Sequence, residues 1–332
     1  MTGRSRYDCR IMTALTRRSL IAGTAALAGS ASFAPAASPI AGRQGPGVYR
    51  YRLGAFELTA LYDGVWYQKI EKELIRNASR DDVNKALTDA FLEPGVLPIT
   101  FTALMVNTGS KLILIDTGTA GQLTGTAGVM MDNLAVAGVK PADIDAVVIS
   151  HFHPDHINGI KTKDGGKVFP NAEIMVPEPE WTFWMDEANL HRHEGTVPLH
   201  RYFLNARRIF RDIAGEVTRF TPGKPVMPGI DSIAAFGHTP GHCAFALHSG
   251  TQSLLVISDT ARLPYLFVRH PEWQPFFDMD GPLAVASRKA LLDRAAADRM
   301  PVQGYHFPFP GSGHIARTRT GFELVQSMWQ PL

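Results

Sequence analysis

The sequence predicts a layered α/β sandwich built from mixed β-sheets. The chain has 332 residues, of which 45% are hydrophobic, so it can bury a large core. Its apolar segments fall into two halves, each with strands followed by helices, without regular strand–helix alternation. No linker divides the chain after residue 48, so residues 48–332 are predicted to form one domain behind a Pro/Gly-rich linker at 37–47.

The elements of the first half are short apolar runs separated by glycine and proline. Alternating or continuous apolar residues predict strands at 49–53, 56–62, 99–107, 111–116, 144–150 and 172–176. Helical periodicity predicts helices at 81–92, 126–137, 178–189 and 199–213. The run at 144–150 is mostly apolar and β-branched, which is typical of a buried strand.

The second half has the same kind of strands and fewer helices. Strands are predicted at 232–236, 243–248, 253–258, 302–306 and 322–325. One amphipathic helix is predicted at 283–299, directly after Pro282. Two halves of this composition fit two mixed sheets with helices packed on them.

The first 36 residues have their own charge and pattern. They carry five arginines against one aspartate, which accounts for the small positive net charge of the chain, +2. Arg17 and Arg18, an Ala/Gly-rich apolar run and the cleavage-like triplet at 34–36 resemble a twin-arginine signal peptide. The resemblance implies a bacterial protein that is exported to the periplasm or secreted, with Met1 or Met12 as its start.

The rest of the composition excludes several classes of function. Cys9 would leave with the signal peptide, so Cys243 would remain alone and no disulfide is expected. No apolar run reaches the roughly 18–20 residues of a membrane-spanning helix, so no membrane insertion is expected once the signal is removed. No basic stripe indicates nucleic acid, and the expected partner is a small-molecule substrate.

The strongest chemical signal is the segment 151–156, HFHPDH, directly after the predicted strand 144–150. On an extended segment His151 and His153 point to the same side and can bind one ion. After the turn at Pro154, Asp155 and His156 can face a second ion. Imidazole and carboxylate together suit zinc, manganese, iron or cobalt.

Further ligands are available at three later strand ends or turns. They lie in the segments 237–242 (GHTPGH), 258–260 (SDT) and 304–306 (GYH). A sandwich gathers such loops on one rim. The order HxHxDH, TPGH, SDT, GYH is similar to that of the metallo-β-lactamase superfamily, which implies a four-layer αββα sandwich with two mixed β-sheets.

The resemblance also implies a ligand set for two divalent metal ions. The residues implied for one ion are His151, His153 and His242, those for the other are Asp155, His156 and His306, and Asp259 bridges the two. His238 is expected to be a loop residue. Asp116, in the early Asp-x-Gly motif, is implied to orient ligands without binding metal. Zinc is the expected metal, and manganese, iron and cobalt are the alternatives.

A narrower similarity is to the methyl parathion hydrolase branch of this superfamily. It rests on the blocks 49–64, 107–118 and 306–315. It implies an exported dinuclear hydrolase that uses a metal-bridging hydroxide to cleave an ester, lactone or phosphotriester, as an organophosphate hydrolase or arylesterase does. Asp155 and Asp259 are its candidate catalytic residues, and a homodimer is a possible assembly.

Three residues are candidates for substrate binding: Trp184, Arg262 and Phe267. Aromatic side chains can line an apolar pocket. Arg262 stands where lactonases of the superfamily usually carry tyrosine, and it either holds an anionic group or pairs with a surface carboxylate. The alternative functions are a thioesterase of the glyoxalase II type, a mononuclear-iron persulfide dioxygenase-like oxidoreductase and a catalytically silent binding protein.

Overall fold

The computed structural model describes residues 41–70 and 74–332, and residues 46–332 form one compact unit. The predicted signal peptide at 1–36, with Cys9, and the first part of the predicted linker lie outside the described residues. Among the helices in the described ranges, none is long and apolar enough to cross a membrane.

The first sheet contains seven strands of the described chain, arranged in chain order. They are β1 (Val48–Leu53), β2 (Phe56–Lys69), β3 (Val96–Asn107), β4 (Leu112–Ile115), β5 (Ala146–Val148), β6 (Glu173–Pro177) and β7 (Val217–Phe220). Neighbouring strands are antiparallel from β1 to β4 and parallel from β4 to β7. The sheet is therefore mixed, as the sequence predicted.

The second sheet also contains seven described strands. They are β8 (Pro225–Met227), β9 (Ile230–Ala234), β10 (Cys243–Ser249), β11 (Gln252–Ser258), β12 (Pro301–Gly304), β13 (Ser312–Arg317) and β14 (Phe322–Gln326). The pairing of β11 with β12 is parallel and the others are antiparallel.

The described helices are α1 (Arg80–Asp89), α2 (Met130–Val136), α3 (Pro154–Ile157), α4 (Glu178–Met185), α5 (Glu187–Arg192), α6 (Leu199–Phe210) and α7 (Gly281–Ala297). Side-chain caps define several of their ends. Ser79 accepts a hydrogen bond from the backbone of Asp82 at α1, and Asp280 accepts one from Leu283 at α7.

Alternation along the strands divides the core into layers. On β11, Leu254 and Val256 face the first sheet, whereas Leu255, between them, packs with Leu292 of α7. On β4, Ile113 faces the second sheet and Leu114 packs towards the helices of the first half. The predicted four-layer αββα sandwich is confirmed.

Several element boundaries differ from the predicted ones. Strands β7, β8 and β13 were not predicted, because β7 and β8 have only four and three residues and β13 is mostly polar or glycine. The predicted helix at 126–137 begins only at Met130, because the Asp63 carboxylate accepts the Met130 N–H at 3.0 Å. The predicted helix at 178–189 is interrupted at Asp186, which caps α5 by accepting the Asn189 N–H at 2.8 Å.

Candidate functional site

The candidate site lies where the chain leaves β4, β5, β11 and β12, together with the loop between β9 and β10. Asp116 (φ 61°), directly after β4, and Ser258 (φ 44°), the last residue of β11, have left-handed backbone conformations. Such conformations cost a non-glycine residue about 1–2 kcal/mol. Here they turn both side chains onto Ser150, whose hydroxyl donates to Asp116 Oδ2 and accepts from Ser258, each at 2.8 Å. The ends of the two sheets are thus joined at the base of the site.

One cluster of buried ligand atoms, which we call the first group, consists of His151, His153, His238 and Asp259. The atoms that these side chains offer all lie within 4.8 Å of one another. His153 Nδ1 is 3.0 Å from His151 Nε2 and 2.9 Å from His238 Nε2. His238 Nε2 is also 3.2 Å from Asp259 Oδ2.

A second group consists of Asp155, His156 and His306. Asp155 Oδ2 lies 3.3 Å from His156 Nε2 and 3.5 Å from His306 Nε2. Asp259 lies between the two groups, because its Oδ1 is 3.2 Å from His156 Nε2 and its Oδ2 is 3.0 Å from His306 Nε2. One carboxylate therefore contacts both clusters.

The charge states in this cluster follow from burial and from the carboxylates. Burial holds the pKa values of His151 and His153 well below the usual range, so both imidazoles are neutral. Burial also acts on His156, but Asp259, Asp155 and Asp116 together hold the pKa of this histidine well above its usual range. The carboxylates thus favour a positive charge at the position that His156 Nε2 faces.

The residues present fit a pair of divalent cations. His156 Nε2 and Asp259 Oδ1 are buried and lie 3.2 Å apart, but neither atom forms a hydrogen bond of acceptable geometry in the described structure. Each such atom costs about 1–3 kcal/mol when it stays unsatisfied, and metal coordination would satisfy both. The donors are imidazole nitrogens and carboxylate oxygens, which suit zinc, manganese, iron and cobalt.

The two histidines of the segment 237–242 both lie beside His151 and Asp259. His238, expected to be a loop residue without a ligand role, lies in a loop, but its buried side chain belongs to the first group. His242 belongs to neither group: its Nδ1 is 2.9 Å from the Ala235 carbonyl and its Nε2 accepts the Asp259 N–H at 3.2 Å. Burial lowers the pKa of His242 to about 3, which keeps it neutral between these partners. The sequence shows both histidines on one turn and does not show that both side chains reach Asp259.

Two charged residues that the sequence analysis missed hold His238. Asp278 Oδ1 is 2.8 Å from His238 Nδ1, and Asp278 Oδ2 accepts a hydrogen bond from Arg288 at 2.9 Å. Arg288, on α7, is itself buried and also donates to the carbonyls of Thr260, Pro271 and Trp273. The Asp278 carboxylate fixes the proton on Nδ1 of His238 and leaves Nε2 for the first group.

Glu180, in the first turn of α4, is a third charged residue that the sequence analysis missed. Its Oε2 accepts the Phe152 N–H at 2.9 Å and the Trp184 Nε1–H at 2.7 Å. Its Oε1 accepts the Gly241 N–H at 2.7 Å and the Thr239 hydroxyl proton. This buried carboxylate therefore joins both histidine-bearing loops to α4. An acidic residue in the first turn of a helix ordinarily indicates an exposed position, so no local pattern distinguishes Glu180.

The second group is oriented by Asp116 and by backbone carbonyls. Asp116 Oδ2 is 2.8 Å from His156 Nδ1, the ring nitrogen opposite the one that faces Asp155 and Asp259. His306 Nδ1 is 2.7 Å from the Thr100 carbonyl. The Tyr305 hydroxyl donates to the Asp155 carbonyl at 2.6 Å.

The three candidate substrate-binding residues have different environments. Trp184 is fully buried and packs behind His153, with the ring centres 6.3 Å apart. Phe267 is buried beside Arg288, whose guanidinium lies 5.3 Å from its ring centre. Arg262 keeps 7% of its surface exposed, and its Nε is 3.5 Å from Asp259 Oδ2. Tyr202, which the sequence analysis did not name, has its ring centre 5.1 Å from that of His153.

Solved structures with the same arrangement of elements include two enzymes. One is a hydrolase of the beta lactamase superfamily, AbOPH, with a TM-score of 0.81 and 27% identity over 87% of this chain and 100% of that one. The other is AidC, a dizinc quorum-quenching lactonase in complex with a product, N-hexanoyl-L-homoserine. Its TM-score is 0.80, with 27% identity over 86% of this chain and 99% of that one.

Curated relatives are similar over shorter stretches. An N-acyl homoserine lactonase of Bacillus thuringiensis is 25% identical over 231 residues, which are 64% of this chain and 81% of the relative. The N-acyl homoserine lactonase AttM of Agrobacterium fabrum is 31% identical over 142 residues, 40% of this chain and 46% of the relative. The family model of the metallo-beta-lactamase superfamily matches residues 96–304, more than half of the chain. This protein belongs to the metallo-β-lactamase superfamily.

Proposed function

We propose that this protein is an exported dinuclear metal-dependent hydrolase that cleaves esters and lactones. The observation that carries the proposal is the position of Asp259, which contacts both groups of ligand atoms through its two oxygens. The proposed ligands of one cation are His151, His153 and a histidine of the segment 237–242, His238 or His242. Those of the other are Asp155, His156 and His306, and Asp259 serves both. The proposal of export rests only on the resemblance of residues 1–36 to a twin-arginine signal peptide.

When bound, two divalent cations supply an activated water and polarise the carbonyl that is attacked. The chain's own residues prepare the site for this chemistry. Glu180 and Asp278 hold the histidines of the first group in fixed orientations, and Asp116 does the same for His156. Because these groups are buried, the charges at the site are only weakly screened by water.

Asp155 is the candidate for proton transfer to the leaving group. Its side chain is 13% exposed, whereas that of Asp259 is 2% exposed, so Asp155 is the carboxylate of the second group that a substrate can reach. The Asp155 carboxylate can take a proton from the attacking water and pass it to the departing oxygen.

Lactones and esters are the favoured substrates because of the relatives. The Bacillus thuringiensis lactonase matches this chain over 81% of its own length, and the dizinc lactonase AidC matches it over 99%. Phosphotriesters are a second candidate class, and they rest on the three sequence blocks at 49–64, 107–118 and 306–315.

The test is a substrate panel on the metal-loaded full chain. Aryl esters, γ-lactones, phosphotriesters, thioesters and β-lactams are compared by kcat/KM, with metal content and O₂ uptake measured alongside. We expect two metal ions per chain, no O₂ uptake and the highest kcat/KM on an ester or lactone. One iron with O₂ consumption would instead support the dioxygenase, and preferred thioester cleavage would support the glyoxalase II type.

Two histidine variants provide a matched control. His151→Ala removes a proposed ligand and is expected to lower kcat/KM by at least about 10³-fold. His191 belongs to another His-x-His pair, on the surface, where its side chain is 68% exposed. His191→Ala is expected to keep wild-type activity. Full activity of the His151→Ala enzyme would overturn the proposal.

A further inference from the structure

Arg262 lies at the edge of the first group, in the loop that follows β11. Its Nε is 3.5 Å from Asp259 Oδ2, and its guanidinium carbon lies 4.1 Å from the ring centre of Phe277. The side chain is largely buried, with 8% of its surface exposed. The sequence analysis left open whether this arginine pairs with a surface carboxylate, and its only carboxylate partner in the described structure is the buried Asp259.

The surroundings of Arg262 differ from those of Arg288, the other buried arginine beside the site. Arg288 donates hydrogen bonds to three backbone carbonyls and to Asp278. In the described part of the chain, the Arg262 guanidinium forms no hydrogen bond with protein atoms, and Asp259 is the one carboxylate within 4.0 Å of it. None of its nitrogens is among the fully buried atoms that lack a partner in the described structure, so its N–H edge is open to water or to a ligand.

Neither of the neighbouring carboxylates can neutralise Arg262 in the metal-loaded protein. Asp259 contacts both ligand groups, so both of its oxygens are committed to the proposed cations. Asp278 is committed to His238 and Arg288. Arg262 therefore adds an uncompensated positive charge beside two cations, and such a site attracts anions.

The shape of the guanidinium indicates which anion suits it. Phe277 covers one face of the planar group, which leaves its N–H edge as the part that can bind a ligand. This edge matches the two oxygens of a carboxylate. A hydroxyl or an alkyl group would leave the charge uncompensated.

We propose that Arg262 selects ester or lactone substrates that carry a carboxylate, which its guanidinium binds while the scissile carbonyl lies at the two ligand groups. This proposal rests on the proposed hydrolase function. Arg262 acts in it as a specificity-determining residue and takes no part in the proton transfer. Neutral esters of the same shape are poorer substrates.

The test compares two esters that differ in one terminal group. The 4-nitrophenyl monoester of adipic acid ends in a carboxylate, and 4-nitrophenyl 6-methylheptanoate ends in an isopropyl group of nearly the same shape. For each enzyme, the ratio of kcat/KM for the anionic ester to kcat/KM for the neutral ester is determined after subtraction of spontaneous hydrolysis. We expect this ratio to exceed 1 in the wild type and to fall by about 10–100-fold in Arg262→Gln, the range of a lost charge-assisted interaction.

Two further variants distinguish the effect of the Arg262 charge from a general effect of removing an arginine. Arg262→Lys keeps the charge without the planar edge, and its ratio is expected to lie between those of the wild type and Arg262→Gln. Arg317 is a matched control, because its guanidinium also lies over a phenyl ring, that of Phe322, at 5.5 Å, and pairs with Asp293. Arg317→Gln is expected to leave the ratio unchanged. Should Arg262→Gln fail to fold, the lysine variant carries the comparison.

A binding measurement keeps this proposal distinct from the proposed function. Calorimetric titration of the metal-loaded chain with adipate and with 6-methylheptanoate reports the preference for the second carboxylate without any turnover. We expect the preference in the wild type and its loss in Arg262→Gln at unchanged metal content. If neither ester is cleaved but the preference for adipate depends on Arg262, the hydrolase function fails and the anion site stands. Equal ratios and equal adipate preference in wild type and Arg262→Gln would overturn the role of Arg262.

Discussion

The first and second groups of ligand atoms are held in different ways. In the first group, His238 depends on the buried chain of Asp278 and Arg288, and both histidine-bearing loops depend on Glu180. In the second group, His306 depends on the Thr100 carbonyl and Asp155 on a hydroxyl that donates to its backbone. Asp116, which orients His156, is the one charged side chain in that role there among the described residues.

This difference indicates which substitutions away from the ligands will weaken cation binding. Charged side chains from α4, α7 and the loop before α7 support the first group, and each can be removed by one mutation. Backbone carbonyls support much of the second group, and mutation removes them only indirectly. We therefore expect the cation of the first group to be the more sensitive to substitutions away from the ligands.

The largest effect is expected at Asp259, where the two groups meet. Asp259→Asn removes the charge that both groups share and leaves its partners in place. We expect at least about 10³-fold lower kcat/KM on the preferred ester and loss of metal from both groups. Metal analysis after gel filtration checks this, and a variant that retains two ions per chain would contradict the assignment of Asp259.

The next effect is expected at Asp278 and would sharpen the comparison. Asp278→Asn weakens the orientation of His238 and leaves a buried Arg288 without its carboxylate. We expect the affinity for the cation of the first group to fall by about 10–100-fold while the second cation stays bound. Chelator competition measures both affinities. Asp280→Asn, which alters only a helix cap, is the control and should keep both affinities.

Glu180 offers a test through pH, because burial raises the pKa of its carboxyl above the ordinary value of 4.5. The folded protein then binds a proton more tightly than the unfolded one. The contribution of this group to stability is full below about pH 4.5 and falls as pH rises through the raised pKa. Glu180→Gln does not titrate. The wild-type excess in free energy of unfolding, about 1–3 kcal/mol, should therefore shrink with rising pH.

Chemical denaturation of both proteins with a chelator present, from pH 4.5 to pH 8, measures this excess. The comparison between the two proteins subtracts the histidines, which are common to both. An excess that grows with pH would show that the buried carboxylate is stabilised in its ionised form, contrary to the raised pKa.

The smallest effect is expected at Tyr305. Tyr305→Phe removes the 2.6 Å hydrogen bond to the Asp155 carbonyl and keeps the ring that lies 4.0 Å from that of His156. One hydrogen bond is worth about 0.5–1.5 kcal/mol, so affinity for the second cation should fall by less than about 10-fold. Chelator competition measures this affinity. A loss as large as that of Asp278→Asn would contradict the difference between the groups.

Much of the fold could be predicted because buried strands carry apolar residues in a regular local pattern. The alternation on β4 and β11 and the continuous apolar run before His151 mark strands without reference to any partner. Helix starts were less accurate, since Met130 is fixed by Asp63, which lies far away in the sequence. Strands β7, β8 and β13 have too few apolar residues to show the alternating pattern of a strand.

The residues of the candidate site likewise divide into those with a recognisable local sequence pattern and those without one. The segment 151–156 and the residues Asp259 and His306 are recognisable because several unusual ligand types stand close together or in a fixed order. Glu180, Asp278 and Arg288 stand among ordinary helix and loop residues, and no local pattern distinguishes them. Only their burial beside the histidines does so.

From the sequence alone come the family resemblance, the layered sandwich and the residue types that could hold two cations, since these depend on composition, order and local periodicity. The burial of His238 beside Asp259, the buried supports of both groups and the pairing of Arg262 with Asp259 come only from the folded chain. The physical reason is that a side chain's direction and charge state depend on partners that are distant in the sequence. Asp278 is 40 residues from His238, and only the packing of α7 and its preceding loop on the second sheet brings the two together.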